Sequence, residues 1–121
     1  MGTEAKRVVM RRTNCSCSMP GVWRALSFVR GALVIFHSPR PCAHIAHGMD
    51  VGSFYRLRAA GTKVRLSPVP LLTSSLSDAE AIFGGEDRLR ECIRFAAEKY
   101  QPQAIFIANS CVSGVIGDDT C

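Results

Sequence analysis

Two things are scarce in this chain of 121 residues: aromatic side chains, at 7%, and long apolar runs. The longest useful apolar stretch, Ala32 to Phe36, has the length of a strand. A bilayer-spanning helix needs about 20 consecutive apolar residues, so no membrane partner is expected. The basic start (Lys6, Arg7, Arg11, Arg12) is followed by no apolar core of the kind a secretory leader carries. A cytoplasmic location is the expectation. Also missing are a Walker A loop, a GxGxxG turn and a GxSxG nucleophile elbow, so nucleotide binding and serine-hydrolase chemistry have no support. There is no internal repeat, no low-complexity tract and no RNA-binding signature.

What is present suits a packed domain. Hydrophobic residues make up 47% of the chain and charged residues 21%, enough to bury one core of ordinary size. The net charge of +5 is unevenly spread. Residues 1–70 hold eleven Lys/Arg against two acids, and residues 71–121 hold four against eight. A basic half suits an anionic partner or an anionic thiolate-ligated cluster, but an ordinary solvated face explains it as well. Basic and aromatic residues do not interleave regularly, so no nucleic-acid partner is expected.

Residues 1–14 are polar and basic without periodicity, and read as a flexible lead-in. Met19-Pro20-Gly21 reads as a turn, followed by a short helix over Val22 to Val29. Ala32 to Phe36 is continuous, apolar and β-branched at its centre, the mark of a buried, parallel strand. His37-Ser38-Pro39-Arg40-Pro41-Cys42 reads as a fixed, non-helical loop, with a helix from Ala43 weakened by Gly48 and Gly52. Val64 to Leu72 is a second strand candidate, held to an edge by Pro68 and Pro70. Thr73 to Asp78 is a polar loop. Glu86 to Tyr100 reads as a helix with acids in its first turn and an apolar stripe of Leu89, Cys92, Ile93, Ala96 and Ala97. Pro102 ends it, and Ala104 to Ala108 is a third apolar strand. Strand, loop, helix and strand in this rhythm imply an α/β fold with a parallel sheet and flanking helices.

Six cysteines are many for a reducing compartment, where metal binding, redox work or packing replace disulfides. Cys42 follows the first strand within a few residues, and Cys111 follows the third in the same way. Parallel α/β sheets bind ligands beyond the carboxyl ends of their strands, so the two thiols are candidates for one edge. Cys17, before the first helix, is a third candidate. Thiolates on separate loops suit an iron–sulfur cluster better than zinc, whose sites usually show close Cys pairs. A zinc site from Cys42, His44 or His47 and the Cys15/Cys17 pair matches no zinc module's spacing. Cys92, on the helical stripe, reads as a small buried hydrophobe; Cys15 and Cys121 receive no role. His37, ending a strand, is expected to bond a loop carbonyl or to lie near a cofactor. Asp118 and Asp119 are paired carboxylates of the kind that do acid–base work or bind Mg²⁺, but they read first as helix-start acids or as a turn that fixes the Cys111 loop through backbone N–H groups.

Three stretches carry a resemblance. Ile82-Phe83-Gly84-Gly85-Glu86-Asp87-Arg88-Leu89 is similar to an hFGG-x-x-x-L segment. Cys111-Val112-Ser113-Gly114-Val115-Ile116-Gly117-Asp118-Asp119 is similar to a C-x-x-x-x-IGDD segment. Phe36 to His44 is similar to an HGP-x-GC loop. Their order and spacing, with a serine/threonine-rich loop at residues 73–78, resemble the nitrogenase component 1 type oxidoreductases over residues 15–121. That resemblance implies a Rossmann-like α/β subunit and a partner subunit of the same type. It also implies an iron–sulfur cluster, [4Fe-4S] or larger and P-cluster-like, at the interface between them.

The family's cluster cysteines fall on Cys17, Cys42 and Cys111, with a fourth ligand from the partner or from a non-cysteine group. Backbone N–H groups near Gly114 and the Arg40 side chain are the expected tuning groups around the sulfurs. An ATP-dependent iron–sulfur reductase would supply electrons. Relatives of this type include nitrogenase catalytic subunits, cofactor-assembly scaffolds and dark-operative tetrapyrrole reductases. The chain departs from the pattern at Pro41, where the loop carries glycine, and at Ser38. Its length is a fraction of a family subunit, so it is expected to be the truncated first domain of one, and no catalytic residue is assigned to it.

Overall fold

The computed structural model describes residues 18–61 and 68–120. The lead-in and Cys15, Cys17 and Cys121 therefore lie outside the described residues. Three strands, β1 (Ala32–His37), β2 (Leu71–Thr73) and β3 (Ala104–Asn109), form one sheet in the order β2-β1-β3. Both pairings are parallel, with Val34 opposite Leu71 and Phe106, and His37 opposite Asn109. Among the described residues, five helices accompany them: α1 (Met19–Leu26), α2 (Arg40–Ala59), α3 (Asp78–Phe83), α4 (Glu86–Tyr100) and α5 (Cys111–Ile116). Among the described residues, no helix is long and apolar enough to cross a membrane.

β1 is the centre of the core, and all six of its residues are buried. Side chains alternate across a strand, so its apolar run must be covered on both faces. Val34 and Phe36 pack with Met19 and Trp23 of α1 and with Ala43 and Ala46 of α2. Leu33 and Ile35 pack with Leu89 and Ala96 of α4. The result is three layers: α1 and α2, the sheet, and α4. Each fully buried aliphatic of β1 contributes about 1.5–3 kcal/mol, which explains why the centre of the fold is so plainly written in residues 32–36.

The α4 stripe behaves as its spacing predicts, except that Ala97 faces solvent. Cys92 is half-buried against the sheet, and burial pushes its thiol pKa up, as suits a packing residue. Gln101 in the left-handed region and Pro102 close the helix.

Three boundaries differ from the sequence reading. α1 starts at Met19 rather than Val22, and α2 starts at Arg40 rather than Ala43. In both, a proline read as part of a turn or loop sits in the helix's first turn, where its missing N–H costs no hydrogen bond. Cys42 therefore lies in the first turn of α2 and not in a loop. α2 then runs unbroken through Gly48 and Gly52, because Ala43 and Ala46 on its inner side are packed against β1. The second strand is only three residues long and starts after Pro70; the part of Val64 to Leu72 before residue 68 lies outside the described residues. β3 is half-exposed, with Phe106 37% accessible, because among the described residues β1 is its sole neighbour in the sheet.

α3 is short and held by its start. The Glu80 carboxylate accepts from the Ser77 backbone N–H at 2.9 Å and from the Ser77 hydroxyl, and Arg88 of α4 donates to it at 3.1 Å. These bonds favour the charged form, the Ser77 hydroxyl foremost, and lower the Glu80 pKa from 4.5 to about 2.

Two outcomes follow. Ile35→Ala, at a residue with 0% exposure, is expected to cost about 2–5 kcal/mol in urea denaturation. Ile82→Ala, at a residue 74% exposed, should stay within about 0.5 kcal/mol. For Glu80, a depressed folded pKa means its contribution is complete above 4.5 and fades as pH falls toward about 2. A carboxyl-detected NMR titration should find a midpoint near 2, moving up in Ser77→Ala; a midpoint near 4.5 in the parent chain would remove the cap.

Candidate functional site

The strand order supplies the location. The chain leaves β1, adds β2 on one side, then crosses to add β3 on the other. α2 and α4, which follow β1 and β2, accordingly cover opposite faces. Such a reversal leaves a crevice beyond the carboxyl ends of the two strands that flank it, here β1 and β3. Cys42 is in the first turn of the helix after β1, and Cys111 opens the helix after β3. These strands are in register to their ends, His37 opposite Asn109. The fold thus brings two of the three candidate cysteines to neighbouring helix starts at one edge. The third, Cys17, lies outside the described residues.

The two cysteines differ in surroundings. Cys42 is half-buried against the core cluster that contains Phe36 and Trp23, while Cys111 is exposed. Among the described residues no group of three or more His, Cys, Asp or Glu side chains converges as a metal site. His44 and His47 lie on exposed positions of α2, and the Cys15/Cys17 pair of the zinc alternative lies outside the described residues. Two thiols from separate elements at a sheet edge, with room for ligands from elsewhere, fit a multinuclear thiolate-bound cluster better than a closed mononuclear site.

Beneath this edge lies a buried polar network. His37 is 0% exposed. Its Nδ1 lies 2.8 Å from the Ser74 hydroxyl and its Nε2 2.8 Å from Asp118 Oδ2. Asp118, whose side chain is 4% exposed, also accepts from the Gly85 N–H through both oxygens, at 3.1 and 2.9 Å. A ring proton on Nε2 satisfies every partner: the imidazole donates to the carboxylate, Ser74 donates to Nδ1, and the Ser38 N–H donates to Ser74 at 3.3 Å. Although serine, histidine and aspartate in a row also describe a hydrolytic triad, Ser74 is only 5% exposed and its oxygen is engaged on both sides. The network is a clamp.

The clamp revises two expectations. His37 bonds a hydroxyl and a carboxylate, not a loop carbonyl. Asp118 does capture a backbone N–H, but that of the Gly84-Gly85 turn rather than one in the Cys111 loop. The IGDD and FGG segments, 33 positions apart, are thus one structure. Asp119 faces the same turn from the other side, its N–H donating to Glu86 at 3.2 Å. The expected tuning groups are otherwise employed: the Gly114 N–H goes to the Ser110 carbonyl inside α5, and Arg40 Nε donates to Ser75 at 3.2 Å.

The same edge carries apolar side chains that no described residue covers: Ile82 and Phe83 at the end of α3 and Val115 on α5, exposed by 74%, 87% and 88%. A shallow cleft of about 430 Å³ lies beside Ile82 and Phe83, walled by Gly84, Glu86, Gly117 and Asp118.

Gly85 shows how tightly the turn is packed. A Cβ there would run into Leu76 Cδ2 and would stand 3.0 Å from both His37 Cε1 and Asp118 Oδ2. Gly85→Ala is therefore expected to lose about 1–3 kcal/mol in urea denaturation. Gly114→Ala, with open space around its Cβ, should be neutral or gain up to about 1 kcal/mol. Equal effects of the two would show that the turn is not close-packed.

Comparison with known proteins gives a family and a fold. Residues 17–120 match the family model described as Nitrogenase component 1 type Oxidoreductase. The nitrogenase iron-molybdenum cofactor biosynthesis protein NifE of Rippkaea orientalis is 32% identical over 114 residues, covering 88% of this chain and 24% of that protein. NifE of Klebsiella pneumoniae is 30% identical over 112 residues, 90% of this chain and 24% of that protein. The nitrogenase molybdenum-iron protein alpha chain of Methanothermobacter thermautotrophicus is 26% identical over 118 residues, with 88% and 24% covered. The solved structure of nitrogenase Cp1 at pH 6.5 superposes with a TM-score of 0.59 at 22% identity, over 85% of this chain and 20% of that one. The chain thus spans about a quarter of the length of these relatives.

Proposed function

Because the chain belongs to the nitrogenase component 1 type oxidoreductase family, we propose that it is the cluster-binding part of such a subunit, with Cys17, Cys42 and Cys111 as thiolate ligands of an iron–sulfur cluster. The observation that carries this reading is the crevice between β1 and β3, flanked by the helix starts that bear Cys42 and Cys111. When bound, such a cluster supplies one-electron storage and relay. The chain's own residues have the remaining tasks. Half-buried Cys42 anchors one side against the core, and exposed Cys111 presents the other side to solvent or to a partner. Packing of Cys42 against the apolar core cluster lowers the polarity on that side of the cluster, which bears on potential.

A second subunit of the same type is the proposed partner across this edge. The exposed Ile82, Phe83 and Val115 support it, since large apolar side chains gathered beside a ligand site suit an interface. An ATP-dependent iron–sulfur reductase is the proposed electron donor, and a cytoplasmic setting goes with it. A second reading is a cofactor-assembly scaffold that holds the cluster but reduces no substrate. Its support is the higher identity to the NifE proteins, 30–33%, than to the alpha chain, 26%.

Anaerobic reconstitution with iron and sulfide tests the ligand set, with iron counted and EPR recorded. The parent chain and Cys92→Ala should load a cluster, and Cys17→Ala, Cys42→Ala and Cys111→Ala should lose most of it. Electron transfer from an iron–sulfur reductase, with a reduced product formed, would favour the oxidoreductase over the scaffold. Failure of the parent chain to load, with a component 1 type partner subunit present, would leave family membership without a cluster and point to a non-catalytic remnant.

A further inference from the structure

His37 holds both ends of the helix that begins with Cys111. Its carbonyl accepts from the N–H of Ser110, the N-cap of α5, at 3.2 Å. Its imidazole holds Asp118, two residues beyond the end of α5, at 2.8 Å. Six residues are too few for a helix to be stable alone, so the placement of α5 depends on these two anchors and on β3. The same histidine stands three residues before α2, whose first turn contains Cys42. The connecting Ser38 is in turn fixed to the β2 loop: its carbonyl accepts from the Thr73 hydroxyl at 2.9 Å and from the Leu76 N–H at 3.1 Å.

We infer that His37, acting through Asp118, is a positioning residue: it sets Cys111 relative to Cys42 and so defines the geometry of the site the two thiols share. The inference rests on the reading of those cysteines as cluster ligands. The means is rigidity. A buried imidazole with a partner on each nitrogen has one orientation, and a carboxylate that accepts from Nε2–H and the Gly85 N–H has one place to sit. Losing the carboxylate strands two buried donors. Its amide analogue does not: in Asp118→Asn the side-chain carbonyl, in the place of Oδ2, accepts from both Nε2–H and the Gly85 N–H, and Ser74 still donates to Nδ1. The geometry survives and the charge is gone.

The experiment compares the parent chain with Asp118→Ala, Asp118→Asn and His37→Gln in two arms. In the cluster-free chain, amide hydrogen exchange in Asp118→Ala should be roughly tenfold faster at residues 111–116, the effect of losing one charge-assisted hydrogen bond, and unchanged across α4. After anaerobic reconstitution, Asp118→Ala should carry less iron, or a cluster with changed EPR g-values and a shifted midpoint potential. Asp118→Asn should restore both the exchange protection and the parent's EPR signature.

Parent-like EPR and potential in Asp118→Ala would overturn the inference. So would an Asp118→Asn variant that behaves like Asp118→Ala, since charge and not position would then be the cause. If the parent chain loads no cluster, the ligand reading fails by itself; unchanged exchange at 111–116 in Asp118→Ala would separately overturn the anchoring of α5. Should Asp118→Ala not fold, His37→Gln, whose flexible amide lacks the Ser74 bond that fixes the imidazole, is expected to speed exchange at both 73–76 and 111–116. Parent-like exchange at 111–116 in that variant would overturn the inference.

Discussion

The contact on which the site depends is a single buried imidazole between a hydroxyl and a carboxylate. His37 is the last residue of the central strand, so anything tied to it is tied to the most deeply packed element of the fold. Ser74 brings in the end of β2, and Asp118 brings in the end of α5 and the turn before α4. Polar groups this deeply buried stabilise only when fully partnered, and here they are: the carboxylate, both ring nitrogens and the hydroxyl each have a partner. The three elements that close over the sheet's carboxyl edge therefore share one reference point. Loosening it would disturb all of them together.

Beneath that network, the layered packing decides where the site is. A strand with apolar residues on both faces forces helices onto both sides, and the connections that deliver them reverse direction at β1. The reversal opens a gap at the strand ends without requiring any residue to be sacrificed from the core. Cys42 and Cys111 stand beside that gap because each is in the first turn of a helix that starts there. Their burial is unequal: Cys42 packs against the core cluster that contains Trp23 of α1, whereas Cys111 is exposed. The edge thus carries one half-buried thiol, one exposed thiol and an apolar rim that no described residue covers.

Most of the architecture was legible in the linear chain because it depends on short-range pattern. The apolar runs at 32–36 and 104–108 and the 3.6-residue stripe from Leu89 to Ala96 specify strands and a helix before any tertiary contact forms. Legibility failed where local and tertiary signals compete. Pro20 and Pro41 look like breakers, yet each occupies a first turn where a proline is harmless. Gly48 and Gly52 look like weak points, yet α2 is held by its contact with β1. β3 reads as a fully buried strand by composition, but its burial is set by how many neighbours it has.

The chemistry divides along the same line. The sequence by itself determined which residues can act: thiols after strand ends, a histidine closing β1, paired aspartates after a glycine, and the segments that mark the family. It also determined the parallel sheet, since a helix between two strands leaves little choice of direction. Only the tertiary structure decided that His37 and Asp118, 81 positions apart, are partners. It alone decided that Gly85 completes their network, and that Cys42 and Cys111 flank the same gap. Hydrogen-bond partners far apart in the chain leave no periodic trace, because direction and distance at a strand end are fixed by register and layer packing, which no single segment contains.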